Sequence, residues 1–161
     1  MMKAVDFVTT LVKNLGIDAS VKTENINNKD TRIVISGEAA GMLIGHHGET
    51  LDAVQYLVNL ALFRRANSSK NGRENIKITV DIENYRAKRE ATLRALARRM
   101  AHKALKYRRS VMLEPMNPYE RRIIHSEVQH VQGVSTNSIG SENNRRVVMF
   151  LDDSKATSTQ E

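Results

Sequence analysis

The chain has 161 residues, 40% apolar and 27% charged, with no cysteine, which excludes disulfide frameworks, thiol nucleophiles and cysteine-ligated metal sites. Its formal charge of +7 arises in one half: residues 1–83 hold ten Lys/Arg and ten Asp/Glu, residues 84–161 fifteen against eight. A clustered excess of that kind favours a polyanionic partner, either nucleic acid or an anionic membrane surface.

Met1-Met2-Lys3 followed by Asp6 lacks the apolar middle and cleavage site of a secretory signal, so a cytoplasmic protein is expected. Ala4, Phe7-Val8, Leu11-Val12 and Leu15 repeat at helical spacing up to Gly16, which predicts a short amphipathic helix. Residues 19–25 and 31–36 are β-branched and flank Asn27-Asn28-Lys29-Asp30, the pattern of a hairpin. Ala39 to Ile44 supply one or two helical turns before Gly45-His46-His47-Gly48, and Leu51, Val54, Leu57, Val58, Ala61 and Leu62 continue as a long helical stripe. The longest apolar run, broken at Asn59, falls short of the about 18 residues a membrane span needs, so no integral membrane segment is expected. After a polar gap from Asn67 to Gly72, Ile76, Ile78, Val80 and Ile82 alternate with Lys77, Thr79, Asp81 and Glu83 as in a half-buried strand. The order of the first half is therefore α-β-β-α-α-β.

A domain boundary is placed at Glu83-Asn84, where the charge balance shifts and a basic helix begins at Tyr85. Leu93, Leu96, Ala97, Met100, Ala104 and Tyr107 share one arc of it, expected to face a core, while Arg94, Arg98, His102, Lys106 and Arg109 line another. Ser110 to Leu113 is short and apolar. Asn117-Pro118-Tyr119-Glu120 then gives an N-cap, a first-turn proline and a Glu at the third helical position. That helix is expected to carry Ile124, Val128 and Val131 on one stripe and to end around Gln132-Gly133. A Ser/Thr/Asn loop, a strand from Arg145 to Leu151 and a frayed polar tail over 152–161 complete the reading.

Two glycines bracketing two residues let backbone approach backbone, and the helix that follows offers free N–H groups to an anion. A GxxG loop so placed suits a phosphodiester and is the device with which KH domains clamp single-stranded nucleotides. With His46 and His47 between the glycines instead of Lys or Arg, affinity is expected to rise as pH falls from about 8 to about 6. A metal pair on two adjacent turn residues is disfavoured, and no metal or cofactor is expected. Arg121 and His125, four apart on the capped helix, project from one face beside Arg122. A guanidinium can grip a phosphate or stack on a base, and a neutral imidazole can donate one hydrogen bond or stack.

The order α-β-β-α-α-β around Ile44 to Leu51 resembles the type II, prokaryotic KH fold. The strings Leu113 to His125, Thr136-Asn137-Ser138-Ile139-Gly140 and Arg145-Arg146-Val147-Val148 resemble the second domain of bacterial Jag-family proteins. The resemblance to the family extends upstream to Leu43-Ile44-Gly45, Leu51 to Leu57, Asp81 and Tyr85 to Arg89; Asn143 stands where relatives commonly show proline. The resemblance implies an α+β protein of two small α/β sandwich domains: a KH domain over 1–83 and an R-x-x-x-H domain over 84–151. It implies single-stranded RNA, or single-stranded DNA, as ligand and another small KH protein as partner. The expected contacts are Gly45, His46, His47, Gly48 and Thr50 in the first domain, and Arg94, Arg98, Arg121, Arg122, His125 and Arg145 in the second. No catalytic triad, zinc site or phosphate-loop signature is present, so the chain reads as a non-enzymatic RNA binder and post-transcriptional regulator. The alternative from a different class is a basic protein-interaction or anionic-membrane-surface module.

Overall fold

Gly16, in the left-handed region at φ +69°, closes α1 (Met2–Asn14), its amide bonding the Lys13 carbonyl at 3.0 Å. In the computed structural model, which describes residues 2–26, 30–68, 77–141 and 144–152, two strands follow, β1 (Ser20–Asn25) and β2 (Asp30–Ser36). The expected hairpin turn at 27–29, the strand start at Ile76, Asn143 and the tail from 153 lie outside the described residues.

The helical turns expected after Gly37 are two short 3-10 segments, Ala40–Leu43 and His46–Gly48, set against α2 (Glu49–Ser68). A four-residue stretch ahead of a glycine is too short to propagate an α-helix. β3 (Lys77–Ile82) pairs parallel to β2, which pairs antiparallel to β1, giving the order β1-β2-β3. Ile33, Ile35, Ile78, Val80 and Ile82 pack with Val8 and Val12 of α1 and Leu51, Val54 and Val58 of α2. The edge of β3 is engaged from α2: the Gln55 amide donates to the Ile78 carbonyl (2.9 Å) and accepts from Val80 N–H (2.7 Å).

Asp81, expected on the solvated face of β3, is instead buried at 1% exposure. Its carboxylate is ion-paired with Arg32 and accepts from the amides of Ile82 (3.0 Å) and Arg86 (3.3 Å). The same Arg32 donates to the Asn84 side chain at 2.9 Å. These bonds hold a sharp corner in which Glu83 and Asn84 are both left-handed, at φ 47° and 62°.

The chain packs as two units, residues 1–86 and 87–161. The division falls inside the first turn of α3 (Tyr85–Tyr107) and not before it, because Tyr85 joins the first core and Arg86 pairs with Asp52 of α2 at 2.9 Å.

In the second unit α3 is followed by β4 (Val111–Pro115), α4 (Pro118–Val128), β5 (Val134–Ile139) and β6 (Arg146–Leu151). The antiparallel sheet has the order β4-β6-β5. Its core joins Leu93, Ala97 and Ala101 of α3 to Ile123, Ile124 and Val128 of α4 and Val134, Val147 and Met149 of the sheet. Three expectations are corrected. Tyr107 is 55% exposed, since α3 ends there and leaves the core behind. Helix α4 stops at Val128, short of the expected end, and turns follow. The expected Ser/Thr/Asn loop contains β5, paired along its whole length with β6. Cross-strand pairing outweighs the weak strand preference of Ser and Asn.

Candidate nucleic-acid interface

The glycine loop of the first unit is exposed at Gly45 and His46 and buried at Gly48. Leu43, 2% exposed, anchors its start in the core, and Leu51, fully buried, anchors its end. Gly45 takes φ +69°, ψ −169°, a region essentially restricted to glycine, and Gly48 takes φ +90°. Between them His47 is left-handed at φ 54°, and the two imidazoles stack with centroids 4.0 Å apart at 22°. His46 is exposed and His47 half-buried.

Each glycine makes room for a specific neighbour. A Cβ on Gly45 would lie 2.1 Å from Thr50 Oγ1 and 2.8 Å from Thr50 Cβ; a Cβ on Gly48 would lie 3.1 Å from the Tyr85 ring. Thr50 therefore closes the loop from α2, and Tyr85 backs it from α3. The helix end is less open to an anion than the sequence implies. Glu49 N–H is bonded to the His46 carbonyl and Leu51 N–H to the Ile44 carbonyl, while Glu49 and Asp52 place carboxylates in the first turn. What the loop presents outward is the backbone from Gly45 to His47 and the His46 ring.

In the second unit, Asn117 caps α4 as expected, its side chain accepting from Glu120 N–H at 2.9 Å, with Pro118 at the first helical position. The Glu120 carboxylate accepts from Arg89 Nε at 2.7 Å and ties α4 to α3. Arg121 Nη1 donates to the Met116 carbonyl at 2.8 Å, which fixes one edge of a half-buried guanidinium over the start of the helix. One turn later His125 lies between two hydroxyls of β5: Nδ1 is 2.7 Å from Thr136 Oγ1 and Nε2 2.8 Å from Ser138 Oγ. Burial, and secondarily the charge of Arg121, hold the His125 pKa below the ordinary histidine value, so the ring is neutral at neutral pH. Both ring nitrogens being engaged, the part of His125 left to a ligand is the ring face.

Arg122 and Arg145 are exposed, and the Arg145 carbonyl accepts from Met116 N–H at 3.2 Å. Arg94 and Arg98 are committed elsewhere. Arg94 donates to Glu127 at 2.8 Å and to Glu90 at 2.7 Å, and Arg98 lies 2.9 Å from Glu127. These bonds raise the Arg94 pKa, and Arg94 with Arg98 holds the Glu127 carboxyl below its usual range. The structure thus places Arg121 and His125 one turn apart on α4, with Thr136 and Ser138 of β5 on the His125 ring. Sequence reasoning misses Thr136 and Ser138 because the segment reads as loop; on a strand, hydroxyls two apart share a face, and that spacing is the available signal.

Among the described residues, no group of three His, Asp or Glu side chains could hold a metal ion, and no helix is long and apolar enough to cross a membrane.

Comparison with known proteins matches each of the two units to a family model. A family model of the KhpA/KhpB KH domain matches residues 5–82, and one of the R-x-x-x-H domain matches residues 91–151. A protein of Clostridium symbiosum named RNA-binding protein KhpB is 41% identical over 92% of this chain and 65% of its own length. The RNA-binding protein KhpB of Bacillus subtilis is 42% identical over 76% of this chain and 57% of its own length. That of Lactiplantibacillus plantarum is 31% identical over 91% of this chain and 43% of its own length. The chain thus spans from under half to about two thirds of the length of these relatives.

Proposed function

The chain belongs to the Jag family of bacterial proteins, which join a KhpA/KhpB-type KH domain to an R-x-x-x-H domain; on that premise we propose that it is a non-enzymatic RNA-binding protein that holds single-stranded RNA and acts as a post-transcriptional regulator. The observation that carries the proposal is the glycine loop, whose exposed backbone from Gly45 to His47 is open to a sugar–phosphate strand, while Gly48, buried against Tyr85, lets the turn close behind it. The second contact is the face of α4 that carries Arg121 and His125. There the unbonded edge of the guanidinium meets phosphate and the imidazole face stacks on a base.

Each site by itself is weak, and covalent linkage of two weak sites raises the effective concentration of the second contact. Affinity then grows with oligonucleotide length. Another small KH protein is the proposed partner, supported by an apolar stripe on α2 where Tyr56, Leu57 and Leu60 are 65%, 42% and 39% exposed.

The test is fluorescence anisotropy with a labelled oligouridylate of about two dozen nucleotides. Gly45→Asp with Gly48→Asp is expected to weaken binding, and Arg121→Ala to weaken it through the other site, each with folding checked by circular dichroism. Binding unchanged in both folded variants overturns the reading.

A further inference from the structure

We propose that the C-terminal half of α3 is a further single-stranded RNA contact surface, separate from the Arg121 and His125 site, in which Tyr107 stacks on a base and the cations around it engage phosphates. The proposal rests on the RNA-binding reading above. No carboxylate occurs between Glu90 and Glu114, yet this stretch carries seven Lys/Arg. Arg94 and Arg98 are held by Glu127, but Arg99, Lys103, Lys106, Arg108 and Arg109 are exposed and have no carboxylate partner among the described residues. Tyr107 stands out into solvent with Lys106 Nζ 5.6 Å and Arg109 Cζ 5.5 Å from its ring centroid. A base stacking on this exposed ring takes the place of a cation lying over it, and the displaced charge is left for a flanking phosphate.

Two plainer accounts of the cations fall short. Stabilisation of the helix dipole acts only within the last turn, where Lys106 is the single basic residue; Arg99 and Lys103 lie further back along the helix. A membrane-surface helix needs an apolar face free to enter the lipid, whereas Leu93, Ala97, Ala101 and Ala104 of this helix are already buried. An unpaired polynucleotide asks only for charge and a stacking surface, and both are present.

The test uses the full chain and the same labelled oligouridylate, with the triple variant Lys103→Gln, Lys106→Gln, Arg109→Gln. Each phosphate contact on a single strand contributes about 0.7 to the slope of log affinity against log salt, so losing three lowers the slope by about 2. At ~0.1 M salt that is an affinity loss of up to about 100-fold. Tyr107→Ala is expected to cost about tenfold and Tyr107→Phe to retain binding, because stacking needs the ring and not the hydroxyl. A wild-type chain that binds while the folded triple variant keeps the full salt slope overturns this proposal and leaves the RNA-binding reading standing. A wild-type chain that binds no RNA overturns both. Unchanged RNA binding with lost flotation on phosphatidylserine vesicles assigns the cations to a membrane and likewise overturns it.

Discussion

Adding one methyl group at Gly45 tests whether the glycine loop is built as described. The backbone there, at φ +69° and ψ −169°, costs a residue with a Cβ about 1–3 kcal/mol. The new Cβ would also meet Thr50 Oγ1 at 2.1 Å and Thr50 Cβ at 2.8 Å; rotating χ1 moves the hydroxyl but leaves Cβ in place. Relief of such overpacking adds about 1–3 kcal/mol, so Gly45→Ala is expected to destabilise the first unit by about 2–6 kcal/mol. Thr50→Gly removes the side chain that collides and costs about 0.3 kcal/mol of helix propensity by itself. The double variant should be less destabilised than the sum of the singles by about 1–3 kcal/mol, the steric part alone, while the backbone part remains. Because the chain holds two units, a single global unfolding curve is the wrong assay. Hydrogen exchange of the buried β2 amides at Ile33 and Ile35 reads the first unit directly. Strict additivity of the two substitutions, or a neutral Gly45→Ala, would refute the packing of Thr50 into the space over Gly45.

The second unit supplies two more tests. His125 has a depressed pKa when folded, so the unfolded chain binds more protons between that value and about 6.5, and stability is lost as pH falls through this window. A pH series of thermal melts should show a positive slope there that His125→Gln abolishes; equal slopes in both proteins would mean the ring is not buried neutral. Glu127→Gln releases Arg98 and leaves Arg94 held by Glu90, which should lower the melting temperature of the second unit and raise affinity for oligouridylate. Unchanged RNA affinity in a folded variant would show that the Arg98 guanidinium does not reach the strand.

Helices and core strands are readable where periodicity reports burial directly. Ile78, Val80 and Ile82 alternate because every second residue of β3 enters the core, and Asn117 with Pro118 announces α4 because its capping chemistry is local. What is not readable depends on partners far along the chain. β5 looks like a loop by composition and becomes a strand through its ladder to β6. Asp81 looks like a solvated residue on an alternating strand and is buried because Arg32 meets it from the neighbouring strand. In the same way Arg98 looks like a free cation until α4 brings Glu127 alongside. Of the site, the motif residues Gly45, Gly48, Arg121 and His125 can be found from spacing. The supporting atoms, from Thr50 and Tyr85 to Thr136 and Ser138, require the fold to be known.

The place of Tyr85 bears on how the molecule can be dissected. A fragment trimmed where the charge composition changes, after Glu83, would lose the phenol ring that lies against Gly48 and the guanidinium that bonds Asp52. Such a fragment would hold its sheet but present a slackened loop, and its weak grip would be mistaken for an intrinsic property of the fold. Extending the cut past Arg86 keeps the buttress with the feature it supports.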